Sequence, residues 1–121
     1  MHELAVCQSV IRQAEAVARE HDARGIARIR LRIGVLSGVE PELLARAFPL
    51  AQAGTLAEGA SLEVDTLPVR VVCSRCEAES EVPANRLLCT ACGDWQTRVV
   101  GGDEMLLESL ELLTAEETEH V

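Results

Sequence analysis

Two Cys-x-x-Cys pairs constrain this chain more than any other feature of its sequence. The pairs are Cys73–Cys76 and Cys89–Cys92, and residues 77–88 separate them. Each spacing lets two thiolates bind one ion from a single tight turn. Two such turns complete a tetrahedral shell, with metal–sulfur distances of about 2.3 Å for zinc. Gly93 follows the second pair, where a backbone with positive φ is expected.

The four-cysteine pattern favours a structural zinc over a catalytic one. Four thiolates leave no coordination position for water or substrate, and a catalytic zinc keeps such a position open. Two alternatives remain open on the residues alone: a redox-active dithiol pair, and an iron–sulfur cluster or other site. Under the zinc interpretation, an excursion too small to fold unaided depends on the ion for its structure.

Composition excludes several classes of protein. The chain has 121 residues and a net charge of −9, and all of its eleven basic residues are arginine. The acidic balance argues against nucleic-acid binding, and the absence of lysine excludes a catalytic lysine. No signal peptide and no apolar run near about 18 residues is present, so we expect a cytoplasmic protein that does not bind membranes. A reducing cytosol also favours metal-bound thiolates over disulfides.

Two stretches carry the period of an amphipathic helix. Residues 4–21 place apolar side chains at i, i+3 and i+4 steps, and Gly25 follows as a helix stop. Pro41 is well placed as the first residue of a second helix, which Pro49 should kink. Cys7, the fifth cysteine, is interpreted as a buried hydrophobic residue. The predicted core faces are Leu4, Cys7, Ile11, Ala14 and Ala18, then Leu43, Leu44, Ala47, Phe48 and Ala51.

Strict alternation predicts a strand between the two helices. Residues 27–35 place apolar side chains on one face, ending at Val35, and Arg28, Arg30 and Arg32 on the other. This pattern is typical of a half-buried strand with a solvated basic face. Solubility explains the arginines more simply than an anion-binding role does.

The second half of the chain predicts further strands around the cysteines. Pro68 interrupts an apolar stretch over residues 62–71, so we expect either an edge strand or two short strands. Trp95 is expected to pack on the metal-binding turns. Residues 105–113 are predicted to form a last strand, and residues 115–121 an acidic, mobile tail.

The resulting layout predicts an α+β fold. Two helices cover a three-stranded sheet, giving a small two-layer α/β body, and a four-cysteine zinc-ribbon-like module is inserted into it. We expect residues 1–69 with 101–121 to form the body and residues 70–100 to form the zinc-binding domain. No phosphate-binding glycine-rich loop and no Ser-His-Asp arrangement is present, so no enzymatic activity is predicted.

Met1-His2-Glu3, at the start of the chain, carries a second candidate metal site. The bulk of histidine blocks ordinary removal of Met1, so the terminal amine should remain there. That amine, the backbone nitrogen of His2 and its imidazole can chelate one ion, and Glu3 can complete the set through its nitrogen or carboxylate. A nitrogen-rich set favours Ni(II) or Cu(II) over zinc. The alternative is that His2 is simply a residue near the terminus. Because a helix start repels cations, a metal role also predicts that these residues lie off the first helix.

Four features in this order resemble the HypA/HybF family of nickel metallochaperones, which act in the maturation of nickel–iron hydrogenases. They are the Met1-His2-Glu3 start, the segment ARIRLRIGVLSG (27–38), the turn GTLAEG (54–59) and the paired Cys-x-x-Cys motifs. The likeness covers the chain to about Leu113.

The resemblance implies a division between two metals. Nickel is expected at Met1, His2 and Glu3 as cargo, and structural zinc at Cys73, Cys76, Cys89 and Cys92. The body then becomes a nickel-binding domain. The implied partners are the HypB GTPase and the hydrogenase large subunit, with the chain itself a monomer or weak homodimer. Two other functions stay open: a zinc-ribbon interaction module without nickel, and a thiol–disulfide oxidoreductase that uses the Cys-x-x-Cys pairs.

Overall fold

The computed structural model of the chain describes residues 3–114, which fold into two helices and six strands. Met1, His2 and the predicted tail at 115–121 lie outside the described residues. The strands form two three-stranded sheets, with orders β2-β1-β6 and β4-β3-β5. The predicted α+β class is confirmed. The elements are α1 (Glu3–Glu20), β1 (Gly25–Gly34), α2 (Pro41–Gln52), β2 (Ser61–Leu67), β3 (Val69–Cys73), β4 (Glu79–Val82), β5 (Thr97–Gly101) and β6 (Met105–Leu113).

The chain divides into two compact units. The helical unit comprises Met1–Leu31, Glu40–Val64 and Leu107–Val121, and the cysteine-bearing unit comprises Arg32–Val39 and Asp65–Leu106. The cysteine-bearing unit thus takes in more of the chain than the residues 70–100 expected for the zinc module. Among the described residues, no helix is long and apolar enough to cross a membrane.

An aliphatic core holds the helical unit together. Cys7 is 2% exposed, and its thiol donates a hydrogen bond to the carbonyl oxygen of Leu44 at 3.4 Å. Burial, and then the negative charge of Glu3, raise the pKa of this thiol, so it stays protonated. The interpretation of Cys7 as a buried hydrophobic residue is confirmed. The buried residues are Cys7, Val10, Ile11, Ala14 and Ala18 of α1, Leu44, Phe48 and Ala51 of α2, and Ile26, Ile29 and Leu31 of β1.

Three predicted core residues are exposed instead. Leu4 and Leu43 are both 41% exposed, and Val35 is 51% exposed. The buried stripe of α2 follows Leu44, Phe48 and Ala51, and Leu43 lies one position, about 100°, off that stripe. Val35 lies just past the end of β1, where the alternation of a strand no longer applies.

The outward arginines of β1 pair with carboxylates on the neighbouring strands. Arg28 lies 3.0 Å from Glu63 on β2 and 3.0 Å from Glu111 on β6, and Arg30 lies 2.8 Å from Glu63. The hydrogen bond from Arg30, together with both positive charges, lowers the pKa of Glu63. The basic face is therefore an ion-paired face of the sheet, which supports the structural interpretation over anion binding.

Pro68 separates two strands that belong to different sheets. It falls between β2 and β3, which confirms the prediction of two short strands. The last strand, β6, covers residues 105–113 as predicted. Leu110 and Leu112 are half-buried, whereas Ser109 and Glu111 are exposed, as the alternation indicated.

The segment GTLAEG (54–59) forms a tight loop in the helical unit. Gly54 and Gly59 have φ values of 75° and 83°, a region in which other L residues are strained. The side-chain amide of Gln52 donates to the carbonyl oxygens of Ala57 and Ala60 at 2.8 and 3.2 Å. The positive φ values explain why glycine stands at both ends of this loop, and the Gln52 hydrogen bonds hold the residues between them.

The backbones of Gly34 and Gly102 lie in close contact in the cysteine-bearing unit. The backbone N–H of Leu36 donates to Gly102 at 2.6 Å, and that of Gly34 donates to Glu104 at 2.7 Å. A Cβ at Gly34 would overlap the carbonyl group of Gly102. Gly102 has a φ of 107°, and a Cβ there would lie 2.8 Å from the Cα of Val69. Only glycine allows the two backbones to approach this closely.

Gly34→Ala is expected to lower the free energy of unfolding by about 3 kcal/mol. The new Cβ would overlap backbone atoms of Gly102 and Asp103, which cannot move away as a flexible side chain could. Urea unfolding followed by circular dichroism measures the change. Gly25→Ala, at the other end of β1, meets only ordinary van der Waals contacts. That control should change stability by less than about 0.5 kcal/mol. Equal effects of the two substitutions would contradict the close approach.

Candidate metal centre

Four thiols converge in the cysteine-bearing unit. The sulfur atoms of Cys73, Cys76, Cys89 and Cys92 all lie within 4.8 Å of one another. The Cys73–Cys92 and Cys76–Cys89 sulfur distances are 3.7 and 3.6 Å. A tetrahedron with metal–sulfur bonds of about 2.3 Å requires sulfur–sulfur distances of about 3.8 Å. The structure thus brings together all four cysteines that the sequence singled out, with a spacing and donor set that fit zinc.

The two Cys-x-x-Cys turns share one backbone geometry. The N–H groups of Cys76 and Cys92 each donate to the sulfur of the first cysteine in their own pair, both at 3.4 Å. The residue after each pair has a positive φ: 78° at Gly93, as predicted, and 63° at Glu77. A non-glycine residue in this conformation costs roughly 1–2 kcal/mol. The first turn therefore stores strain that the second avoids.

Polar contacts lock the two turns to each other and to the sheet. The guanidinium of Arg75 lies 3.3 Å from the carboxylate of Asp94, which also accepts a hydrogen bond from the backbone of Gln96 at 2.8 Å. The hydroxyl groups of Ser80 and Thr90 hydrogen-bond to each other at 2.9 Å. Sequence reasoning missed all of these residues. Asp94 is a usable signal of an Asx-turn, because an Asp side chain can accept from the backbone N–H two residues later, but no local pattern marks the Ser80–Thr90 contact.

Hydrogen bonds divide the cysteines into two kinds. A hydrogen bond from the backbone N–H of Cys92 lowers the pKa of Cys89 most strongly. Burial raises it, a second hydrogen bond from the N–H of Ala91 lowers it further, and the resulting pKa is about 6. The N–H of Asp94 lowers the pKa of Cys92, but burial and hydrogen bonds with the other three cysteines raise it to about 12. Four sulfurs this close cannot all ionise without a compensating positive charge. A divalent cation supplies that charge, so the cluster has the chemistry of a metal-ligand set.

Trp95 does not pack on the metal-binding turns as predicted. Its side chain is 74% exposed. A small apolar cluster of this unit contains Val69, Val71 and Val82, with Leu87 packed against it. Hydrogen bonds and sulfur contacts hold the turns themselves, so no aromatic side chain is needed over them.

Of the three residues of the predicted nickel site, Glu3 is the one that the structure describes. Met1 and His2 lie outside the described residues, and Glu3 lies within the first turn of α1. The expectation that Glu3 lies off the helix is therefore wrong. A carboxylate in the first turn faces the positive end of the helix dipole, which stabilises the helical position.

Comparisons with known proteins agree over nearly the whole chain. The family model described as "Hydrogenase/urease nickel incorporation, metallochaperone, hypA" matches residues 1–112. A hydrogenase maturation factor HypA from Nitrosospira multiformis is 50% identical over 114 residues, which covers 94% of this chain and 99% of that protein. Another, from Aquifex aeolicus, is 41% identical over 112 residues and covers 93% and 97% of the two chains.

Solved structures give the same result for the fold. The solution structure of the nickel metallochaperone HypA from Helicobacter pylori matches with a TM-score of 0.68 at 28% identity, over 94% of this chain and 99% of that one. A second HypA solution structure matches with a TM-score of 0.70 at 30% identity, over 93% and 97%.

The fold and the sulfur cluster define a small α+β protein in which one of two compact units carries a four-cysteine cluster suited to a metal ion. The family match over residues 1–112 makes the assignment specific. The chain belongs to the HypA family of nickel-incorporation metallochaperones, and the resemblance drawn from its sequence motifs is confirmed.

We expect elemental analysis to find one zinc ion per chain in the native protein. Cys76→Ser removes one of the four sulfur donors, so purified Cys76→Ser protein should contain little zinc. Cys7→Ala is the matched control, because Cys7 lies in the core of the helical unit. It should leave the zinc content unchanged. Native protein with little zinc and readily alkylated thiols would instead favour the oxidoreductase alternative.

Chelation should unfold the metal-binding turns while leaving the helices folded. The helical unit has its own aliphatic core, whereas we expect the cysteine-bearing unit to depend on the ion for its fold. Hydrogen exchange with and without a chelator measures this. Residues 69–101 should lose protection, and α1 and α2 should retain it. Equal loss of protection in both units would contradict the account.

Proposed function

We propose that this protein is a nickel carrier for the maturation of nickel–iron hydrogenase. It binds Ni(II) at Met1, His2 and Glu3 and releases the ion to partner proteins. The observation that carries the proposal is the family match, which is to a nickel-incorporation metallochaperone and begins at residue 1, so that it includes the Met-His-Glu start. The role requires ion exchange but no bond breaking in a substrate, so the protein is not an enzyme.

The chemistry of the two donor sets supports a division between resident and cargo metal. The four sulfurs of Cys73, Cys76, Cys89 and Cys92 suit zinc and fill its coordination shell, which makes that centre structural. The start of the chain offers an amine, a backbone nitrogen and an imidazole, a set that favours Ni(II). In this proposal the two units follow the same division: the helical unit is the nickel-binding domain, and the cysteine-bearing unit is the zinc-binding domain.

The position of Glu3 in α1 is compatible with a nickel ligand. The first N–H groups of a helix have no acceptor within the helix, so the backbone nitrogen of Glu3 can bind a metal without breaking a helical hydrogen bond. Its carboxylate also offsets the positive end of the helix, which would otherwise repel a cation. The electrostatic repulsion between the helix start and a cation is therefore weaker beside Glu3.

A terminal chelate suits a carrier because its ligands are replaced one at a time. The proposed recipients are the HypB GTPase and the hydrogenase large subunit, and the chain acts as a monomer or weak homodimer. The cytoplasm is the proposed compartment, because a reducing environment keeps the four thiols available for metal.

Nickel titration of the zinc-loaded protein tests the proposal. His2→Ala, and a form with extra residues ahead of Met1, should each lose nickel binding, since one removes the imidazole and the other the terminal amine. His21→Ala is the matched control, because His21 lies past the other end of α1. Retention of full affinity in either altered form, or an equal loss in the control, would contradict the ligand assignment.

Nickel uptake should also weaken on mild acidification. The amine and the imidazole must lose protons to bind, and unperturbed groups of these two kinds have pKa values of about 7.7–8.0 and 6.5. Nickel titrations at several pH values between roughly 8 and 6 should show the nickel affinity falling as the pH falls. The zinc content should not change over the same range. An affinity independent of pH over this range would exclude these ligands.

A further inference from the structure

The four cysteines of the sulfur cluster differ in their access to solvent. Cys73 is 1% exposed and Cys89 is 3% exposed, whereas Cys76 and Cys92 are both exposed. The buried residue is the first cysteine of each Cys-x-x-Cys pair, and the exposed residue is the second. A molecule that arrives from solvent therefore meets Cys76 or Cys92 before it can reach either buried sulfur.

The two turns that carry the exposed cysteines share one backbone hydrogen bond but differ in strain. The N–H of Glu77 donates to the carbonyl oxygen of Cys73 at 3.0 Å, and that of Gly93 donates to Cys89 at 2.9 Å. Glu77 and Gly93 thus occupy equivalent positions, directly after the second cysteine of each pair. Their φ values are 63° and 78°. Glycine adopts this conformation without strain, whereas glutamate does not.

The side-chain contacts of the two turns also differ. In the second turn, the backbone N–H and the hydroxyl group of Thr90 lie 3.3 and 2.9 Å from the hydroxyl oxygen of Ser80, which is buried on β4. The first turn has an ion pair between Asp94 and Arg75, whose side chain is 76% exposed. So exposed an ion pair contributes little, because water screens it. Opening the first turn therefore breaks the weaker contact and also releases strain.

We propose that Cys76 is the modification site of the metal centre, at which soft electrophiles that prefer thiolates react first. A bound zinc ion holds all four sulfurs as thiolates, so access and the response of each turn decide which sulfur reacts. Cys76 alone among the four combines an exposed sulfur with a strained residue beside it. Glu77 becomes a positioning residue, since it acts through Cys76. The proposal rests on the zinc role proposed above.

The reaction at Cys76 is an S-alkylation. Its sulfur attacks the carbon of an alkyl halide, a sulfur–carbon bond forms, and the halide leaves with the electrons of the broken bond. The product is a neutral thioether, which is a weaker donor than the thiolate was. The backbone at Glu77 can then relax, and three thiolates remain as ligands. Because the fold of this unit is expected to depend on the complete shell, the ion leaves and the buried sulfurs become accessible.

Limited alkylation of the zinc-loaded protein with iodoacetamide tests the proposal. Samples are quenched over time and digested, tandem mass spectrometry assigns the label to each cysteine, and a chelating dye records zinc release. We expect Cys76 to be alkylated first, at about five to thirty times the rate of Cys92, as the strain of one non-glycine residue at positive φ implies. Zinc should be released as Cys76 is labelled, and the buried Cys7 should stay unlabelled.

Three variants separate backbone strain from the other properties of Glu77. Glu77→Gly removes the strain and should slow the alkylation of Cys76 to the rate of Cys92. Gly93→Ala adds strain to the second turn, where a Cβ meets nothing within 4 Å, and should speed the alkylation of Cys92 about five- to thirtyfold. Glu77→Gln is the matched control, because it removes the charge and keeps the strain. It should react like the native protein.

Initial alkylation of any other cysteine overturns the proposal, and so does a Glu77→Gly protein that reacts as fast as the native one. Equal slowing in Glu77→Gln would assign the effect to charge and would also overturn it. Protein that takes up no zinc would overturn the zinc role and this proposal together. Zinc-loaded protein that fails the alkylation test overturns this proposal alone.

Discussion

Four sulfurs in the cysteine-bearing unit are arranged to hold one ion, and we expect the fold of this unit to depend on that ion. Among the described residues, one buried apolar cluster of this unit consists of Val69, Val71 and Val82, with Leu87 packed against it. We expect so small a cluster to bury too little surface to offset the entropy lost on ordering the unit. The energy of metal coordination is available only in the folded arrangement, so it acts as folding energy. The strained Glu77 turn is tolerated for the same reason.

The two units use different physical devices, and this difference allows different functions. The helical unit is held by aliphatic packing, a buried thiol and the ion pairs of Arg28 and Arg30. It therefore does not need a metal to fold. Under the proposed function, a cargo ion bound at its start exchanges without unfolding this unit. The permanent ion of the same proposal is confined to the sulfur cluster, where its loss would cost folding energy.

Sequence patterns predicted those features that are encoded locally. The cysteine spacing, the division at Pro68, the period of α1 and the need for a positive φ at Gly93 all follow from residue chemistry within a few positions. The exposure of Leu43, Val35 and Trp95 did not follow. Each depends on where a neighbouring element ends or packs, and an apolar residue one position off a buried stripe looks the same in the sequence as one on it.

The sequence also did not predict the close approach of Gly34 and Gly102 or the Ser80–Thr90 contact, because in each pair the two residues are distant in the sequence. The candidate site divides in the same way. Its sulfur ligands could be chosen from their spacing, but the residues that hold them in place could not. Met1-His2-Glu3 gained specificity only together with the other family motifs, since a histidine at position 2 is chemically ambiguous by itself.

X-ray absorption at the nickel and zinc edges of one doubly loaded sample tests most directly whether the two metals use separate donor sets. The account predicts nickel surrounded by nitrogen and oxygen alone, and zinc surrounded by four sulfurs at about 2.3 Å. Sulfur in the nickel shell, or zinc displaced from its sulfurs when nickel is added, would contradict it.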